Sequence, residues 1–193
     1  MNIVTLMSGG LDSSLMSILT KETGRSQIPL FVNYGQLNAE KEYASAVKHC
    51  DSHELPEPVV IDISGYGKTI TSGLTDSNKN IVDEAFLPGR NMMLLLIASS
   101  FSVQNNCNAV SIGLLDERTV LFPDQTDDFL ISAESTISKA LGTKVEIVTP
   151  LRDFTKQDVI KMAKMKGVVG TYSCHAGGNT PCGNCISCRE FII

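Results

Sequence analysis

Three things are scarce in this sequence of 193 residues: positive charge, long apolar runs, and a lysine behind its glycine turn. Lysine and arginine number 16 against 21 aspartates and glutamates, a formal net charge of −5. That balance excludes a basic footprint over the whole surface, so nucleic acid is not an expected partner. Lys161, Lys164 and Lys166 make a local basic group, but their spacing reads as the solvated face of a helix. The longest apolar run, Met92 to Ala98, falls far short of the roughly 20 residues a membrane span needs. The first apolar segment has no basic residues before it and is cut short by glycines, so neither a secretory leader nor a membrane partner is expected. A cytoplasmic location follows, and in that compartment cysteines are thiols or metal ligands rather than disulfides. Gly9 and Gly10 are not followed by Gly-Lys-Ser/Thr, which excludes a Walker A loop. Hydrophobic residues at 42% and charged residues at 19% describe a globular chain, and the length suits one domain with a small appendage.

What is present is organised around Leu6-Met7-Ser8-Gly9-Gly10-Leu11-Asp12-Ser13-Ser14. The run Ile3-Val4-Thr5-Leu6 before it is short and β-branched, as a buried strand is. The leucines at 15 and 19 after it have helical spacing. Strand, small-residue turn and helix start are thus set within twenty residues. Adjacent glycines let backbone N–H groups approach a ligand, and the helix start adds partial positive charge. Ser8, Ser13 and Ser14 add hydroxyls. The pattern suits a phosphate cradle; an ordinary capped βα turn is the plainer alternative.

Further strands are predicted at Pro29–Tyr34, Pro58–Ile63, Ala109–Gly113 and Val145–Thr149. Helices are predicted at Ala39–His49, Met92–Val103, from Asp127 or Asp128 to Leu141, and from an N-cap at Thr155 to about Lys166. This alternation gives an α/β fold with a parallel sheet, whose ligands sit beyond the carboxyl ends of the strands. Residues 64–85 hold no period and read as a long loop: a lid, a segment ordered by substrate, or a plain excursion. Arg90 and Asn91 stand at a helix start behind Pro88-Gly89, where an Arg can meet an anion or pair locally. Asp116, Glu117, Arg118, Phe122 and Asp124 follow the fourth strand, placed either to hold a substrate base or to form a polar loop.

The tail carries Cys174, Cys182, Cys185 and Cys188, with two overlapping C-x2-C units. Four thiolates in 15 residues of turn-rich chain close a structural Zn²⁺ site with no open coordination position. An iron–sulfur cluster is the alternative. His175, next to Cys174, reads as a bystander, and Cys50 and Cys107 as buried thiols without a role.

The string Ser8-Gly9-Gly10-Leu11-Asp12-Ser13 resembles the SGGxDS signature of the PP-loop ATP pyrophosphatases. Further along stand Tyr34-Gly35-Gln36, Leu87-Pro88-Gly89-Arg90-Asn91, Gly113 through Phe122-Pro123-Asp124, Thr149-Pro150-Leu151 and the four cysteines. In that order the chain resembles the 7-cyano-7-deazaguanine synthase (QueC) family over nearly its whole length. Two stretches depart from the family pattern. Leu37-Asn38 stands where the family carries Arg-His. Arg118-Thr119-Val120-Leu121-Phe122, and then Gln125-Thr126, stand where it carries Asp-x-Ser-Gly-Tyr and then Cys-Arg.

The resemblance implies a Rossmann-like, doubly wound sheet of the adenine nucleotide alpha hydrolase kind. Residues 1–166 would form the nucleotide-binding domain, and residues 167–193 the zinc-binding segment. It implies a ligase that adenylates the carboxylate of 7-carboxy-7-deazaguanine with ATP and Mg²⁺, then uses ammonia to reach the nitrile preQ0. Ser8, Asp12, Ser13 and Arg90 would be catalytic. Ser8, Gly9, Gly10, Leu11, Asp12 and Ser13 would hold the pyrophosphate, with Asp12 a link to Mg²⁺. Tyr34, Gln36, Arg90, Asn91 and Gly113 would complete the nucleotide site. Asp116, Phe122 and Asp124 would meet the substrate, and the four cysteines Zn²⁺. The partners implied are the deazaguanine, ammonia and a second copy of the chain; the apolar helix from Met92 reads as a core helix rather than an interface. Two other readings stand beside this one: a paralogue that attaches a deazaguanine to a protein or nucleic acid, and a non-catalytic nucleotide-binding module.

Overall fold

The sheet is parallel throughout. In a computed structural model that describes residues 2–190, its strands are β1 Ile3–Leu6, β2 Gln27–Asn33, β3 Val59–Asp62, β4 Ala109–Ser111 and β5 Glu146–Val148. Met1 and residues 191–193, at the ends of the two predicted segments, lie outside the described residues. The strand order is β3-β2-β1-β4-β5. The chain winds outward from β1 in one direction and then from β4 in the other, so the order reverses between β1 and β4. Ligands of such sheets sit at that point. Strand β1 is buried on both faces, as its unbroken apolar run predicts.

Helices α1 (Leu11–Glu22), α2 (Ala39–Ser52) and α6 (Lys156–Met165) accompany one face, and α4 (Arg90–Gln104) and α5 (Asp127–Leu141) the other. Leu95 and Ala98 of α4, Leu130, Ala133 and Ile137 of α5, and Val4, Val110 and Ile112 of the sheet form the larger core. Leu11, Leu15 and Ile18 of α1 meet Val159 and Ala163 of α6 in the smaller one. Helix α4 is therefore a core helix, although Leu96 and Val103 on its outer side are exposed. The capping box read at Thr155 is formed, with Asp158 N–H donating to the Thr155 hydroxyl at 3.3 Å and Thr155 N–H to the Asp158 carboxylate at 3.1 Å.

Several boundaries differ from the sequence reading by one to three residues, and two of the shifts have a tertiary reason. Helix α4 starts at Arg90 instead of Met92, because Gly89 takes φ +74° and turns the chain straight into the first helical turn. Strand β4 stops at Ser111, two residues early, because Gly113 has already bent away to pass the start of α1. Residues 64–85 are also more ordered than a periodless loop. They hold a short helix, α3 (Gly65–Thr69), and Asx-type turns at Asp76 and Asn80. Leu74 is buried, and its carbonyl accepts from Leu37 N–H at 2.9 Å. As the lysine spacing predicts, Lys161, Lys164 and Lys166 are exposed along α6.

A buried polar chain ties α1, α2, β1 and β2 together. Ser17 Oγ and His49 Nε2 are 2.8 Å apart, Gln27 Nε2 donates to Ser17 carbonyl at 2.9 Å, and Thr5 Oγ1 donates to Gln27 Oε1 at 3.2 Å. Burial, and then the neighbouring His53, hold the His49 imidazole down to about 4. An unfolded histidine titrates near 6.5, so between those values the unfolded chain binds more protons and stability falls as pH falls. The melting midpoint should therefore drop between pH 6.5 and pH 4. His49→Gln should flatten that part of the profile; an unchanged slope in the variant would assign it to other groups.

Candidate functional site

The glycine turn lies where the strand order reverses. Gly9 takes φ +74°, and a Cβ there would stand 2.2 Å from Glu42 carbonyl O and 2.7 Å from Ala46 N. Only glycine lets the turn press this closely on α2. Ser45 Oγ donates to Gly9 carbonyl at 2.7 Å and fixes it from the other side. Ser13 Oγ accepts from Ser8 N–H at 3.2 Å, lies 3.1 Å from Ser8 Oγ, and donates to Gly10 carbonyl at 3.1 Å. Gly10 is the N-cap of α1 and brings no side chain of its own to the first turn, which suits a helix start that receives an anion. Gly113 passes here, and a Cβ on it would be 3.4 Å from Ser13 N. The predicted pyrophosphate set of Ser8, Gly9, Gly10, Leu11, Asp12 and Ser13 thus forms one surface, with Gly113 against it.

Sequence reading missed one residue of this surface. Lys156, the first residue of α6, reaches across to Asp12 at 2.7 Å and 3.0 Å and to Glu190 at 2.9 Å. Its side chain is only 13% exposed. Burial works against its charge, yet the Asp12 and Glu190 carboxylates outweigh that and hold the ammonium above its ordinary range. A largely buried lysine at a helix start beside a phosphate-type turn is a ready counter-charge for an anion. In the sequence it is one of several lysines in a charged helix, and nothing local marks it.

Arg90 is carried to the same rim by the start of α4. Its charge is felt at the Tyr34 phenol, at Glu42 and at His175. Burial raises the Tyr34 phenol, against the pull of Arg90. Burial also raises Glu42 to about 7, although Gln36 and Asn38 amides donate to its two oxygens at 3.1 Å and 3.0 Å. Gln36 also accepts from Tyr34 N–H at 2.9 Å. Both polar atoms of the Gln36 amide are thus committed to holding the loop after β2. Asn91 is buried and committed as well: its N–H donates to Asp124 Oδ2 at 3.2 Å and its Nδ2 to Asp124 carbonyl at 2.9 Å. Gln36, Asn91 and Asp124 therefore act as struts that place Tyr34 and Arg90, with Asp124 Oδ1 left buried and without a hydrogen-bond partner. Phe122 packs on Phe86, ring centroids 5.2 Å apart, and Asp116 pairs with Arg118 at the exit of β4.

The tail is built onto the glycine turn. Tyr172 N–H donates to Gly9 carbonyl at 3.1 Å, Leu11 N–H to Ser173 Oγ at 3.4 Å, and Asn38 Nδ2 to Cys174 carbonyl at 3.1 Å. Beyond it the Sγ atoms of Cys174, Cys182, Cys185 and Cys188 all lie within 4.8 Å of one another. A tetrahedron of thiolates around one Zn²⁺ at about 2.3 Å has sulfurs about 3.8 Å apart. A cubane would hold its four thiolates further apart, one on each iron, so the spacing fits a single ion. Backbone N–H groups of Cys182, Cys185 and Cys188 point at the sulfurs of Cys174, Cys182 and Cys185 at 3.3, 3.3 and 3.4 Å, as they do around a metal-bound thiolate. Burial pushes the Cys185 thiol up to about 12, so its thiolate needs a cation beside it. The donor set fits Zn²⁺, and these four thiolates would hold it as a structural ion. The His175 side chain is not among the four clustered ligands, and burial, with Arg90 and Lys156 nearby, holds its imidazole down to about 4. Cys50 and Cys107 are buried elsewhere, as expected. No described helix is long and apolar enough to cross a membrane.

Comparison with known proteins agrees with the geometry. The model of the family described as "Queuosine biosynthesis protein QueC" matches residues 2–190. The chain is 30% identical over 198 residues to 7-cyano-7-deazaguanine synthase of Nautilia profundicola, covering 96% of this chain and 89% of the relative. It is 31% identical over 222 residues to 7-cyano-7-deazaguanine synthase of Methanocaldococcus jannaschii, covering 100% and 95%. Among solved structures, NMN synthetase from Francisella tularensis superposes with a TM-score of 0.56 at 15% identity, covering 92% of this chain and 68% of that one. At that identity the likeness speaks for the fold alone.

Proposed function

The chain belongs to the QueC family, and on that footing we propose that it is an ATP-dependent ligase that converts 7-carboxy-7-deazaguanine and ammonia to 7-cyano-7-deazaguanine. One observation carries the reading. The start of α1, whose N-cap Gly10 brings no side chain of its own, lies beside the largely buried ammonium of Lys156 at the reversal point of the sheet. In this reading residues 1–166 carry the nucleotide and residues 167–193 the metal.

A carboxylate oxygen of the substrate attacks the α-phosphorus of ATP; the bond to the bridging oxygen breaks, and pyrophosphate leaves. Ammonia then adds to the acyl carbon, and AMP departs to give the amide. A second ATP activates the amide oxygen, and loss of AMP with the amide protons gives the nitrile. The protein needs little covalent chemistry of its own for this. It must align the two reacting groups and stabilise the charge on the leaving pyrophosphate. The N–H groups and hydroxyls of Ser8 to Ser13 cradle the departing phosphates, Lys156 supplies a fixed positive charge beside them, and Arg90 faces the α-phosphate or the substrate carboxylate. Mg²⁺ would spread the phosphate charge further, and Asp12, whose carboxylate also accepts from Lys156, would be the residue of this chain to hold it. Asp116 and Phe122 meet the base.

Incubation with ATP, Mg²⁺, ammonium and 7-carboxy-7-deazaguanine should yield the nitrile with release of AMP. Nucleotide turnover only in the presence of a macromolecular acceptor would replace this reading with deazaguanine attachment, which the altered stretch Arg118–Thr126 would then explain. Absence of turnover with any acceptor would leave a nucleotide-binding module.

A further inference from the structure

The carboxylate of Asp116 is almost wholly buried at the exit of β4, yet the side chain that covers it is the most exposed partner of any ion pair at the rim. Asp116 is 9% exposed and Arg118 83%. Arg118 Nε stands 3.0 Å from Oδ1 and 2.9 Å from Oδ2, and its NH2 donates to Oδ2 as well. One edge of the guanidinium thus offers two neighbouring N–H donors to one carboxylate. The pyrimidine edge of a guanine-type base offers the same pair, N1–H beside a 2-amino N–H. We infer that Arg118 is an internal stand-in for that edge: it occupies the carboxylate that reads the base, and the substrate must displace it to bind. This rests on the proposed function, since it takes a 7-deazaguanine as the ligand.

The place is right for a base-reading group. Asp116 N–H donates to Phe154 carbonyl at 3.1 Å, and Lys156, two residues on, holds Asp12. The carboxylate and the phosphate-binding turn therefore hang on the same short segment. Beside Asp116 and Arg118 opens a cleft of about 300 Å³, also lined by Asp127 and Arg152, at the small end of ligand-pocket sizes. The carboxylate stays aimed when the arginine leaves. Arg118 backbone N–H donates to Oδ1 at 2.9 Å, and Thr119 Oγ1 donates to Asp116 carbonyl at 2.8 Å. The guanidinium itself is in solvent, where an ion pair is cheap to open. A base can take its place only if it matches the two donors, and an adenine-type edge, with an acceptor at N1, does not. Discrimination therefore rests on the Asp116 carboxylate, and Arg118 is the internal competitor that sets how tightly the matching edge is held.

Affinity, measured calorimetrically, separates this from a purely structural pair. Arg118→Ala should bind 7-carboxy-7-deazaguanine about three- to fivefold more tightly than the parent, the range an ion pair with one exposed partner allows. Its affinity for the corresponding 7-deazaadenine acid should not change. Equal or weaker binding by Arg118→Ala, or the same gain for the adenine-type acid, would overturn the inference. Asp116→Asn should lose the preference for the guanine-type edge. These affinities are read without turnover, so failure to form nitrile would count against the proposed reaction alone.

Discussion

Cys185→Ser should cost the protein its metal. Cys185 is fully buried at the centre of the four-sulfur group, and its thiol is pushed up to about 12, so only a cation makes its thiolate stable there. A serine oxygen is a poorer and shorter-reaching donor for Zn²⁺, and three remaining thiolates would leave uncompensated charge in a half-buried knuckle. Structural zinc supplies on the order of 10 kcal/mol to small modules that fold around it. Here part of that is replaced by packing of the tail on the glycine turn, so the expected loss is several kcal/mol, or on the order of 10 °C in melting midpoint for a chain of this size. Metal content, about one zinc per chain in the parent, should fall to a small fraction. The effect should reach the nucleotide site, because Tyr172 and Ser173 hold Gly9 and Leu11 from the base of the knuckle. Affinity for ATP should weaken together with stability. Cys107→Ser, also buried but outside the sulfur group, serves as the control and should keep its metal. Full zinc retention by a folded Cys185→Ser protein would sink the assignment of that cysteine as a ligand.

Lys156→Met should all but abolish ATP turnover with a smaller effect on folding. The methionine keeps the length of the stem and removes the charge, so what is lost is the counter-charge to the pyrophosphate. Removing one preorganised donor from a developing anion lowers kcat by about 10²–10³. The loss should fall on kcat more than on KM for ATP, because the charge on the leaving pyrophosphate grows in the transition state. Asp12 and Glu190, 31% and 33% exposed, would be left without their shared partner, but water reaches both, so the melting midpoint should move by only a few degrees. Lys156→Arg restores charge but not the compact ammonium between two carboxylates, and should recover activity in part. Undiminished AMP release by Lys156→Met would remove the lysine from the site and leave it as a tie between α1, α6 and the tail.

The contrast between these two residues separates what the chain states locally from what folding assembles. Ser8 to Ser13 and Cys174 to Cys188 are legible in one dimension because their chemistry depends on contiguous backbone. A phosphate cradle needs glycines and hydroxyls within one turn at a helix start, and a zinc knuckle needs thiols two residues apart. The alternation of strand and helix was legible for the same reason, since burial of each element has a fixed period. Lys156 meeting Asp12 across 144 positions has no such signature. Neither does the use of Gln36, Asn91 and Asp124 as struts rather than free ligands, nor the covering of Asp116 by Arg118, where adjacency in sequence left open whether the two would pair or face a substrate. Those outcomes depend on which helix starts the sheet brings to one rim, and on whether a polar side chain, once buried there, finds its hydrogen bonds within the protein or leaves them for a ligand. The sequence by itself determined that this chain holds a glycine turn at a helix start and four cysteines spaced to hold one metal ion. Only the tertiary structure decided which charged side chains face them, because long-range pairing is set by packing geometry and desolvation, not by spacing along the chain.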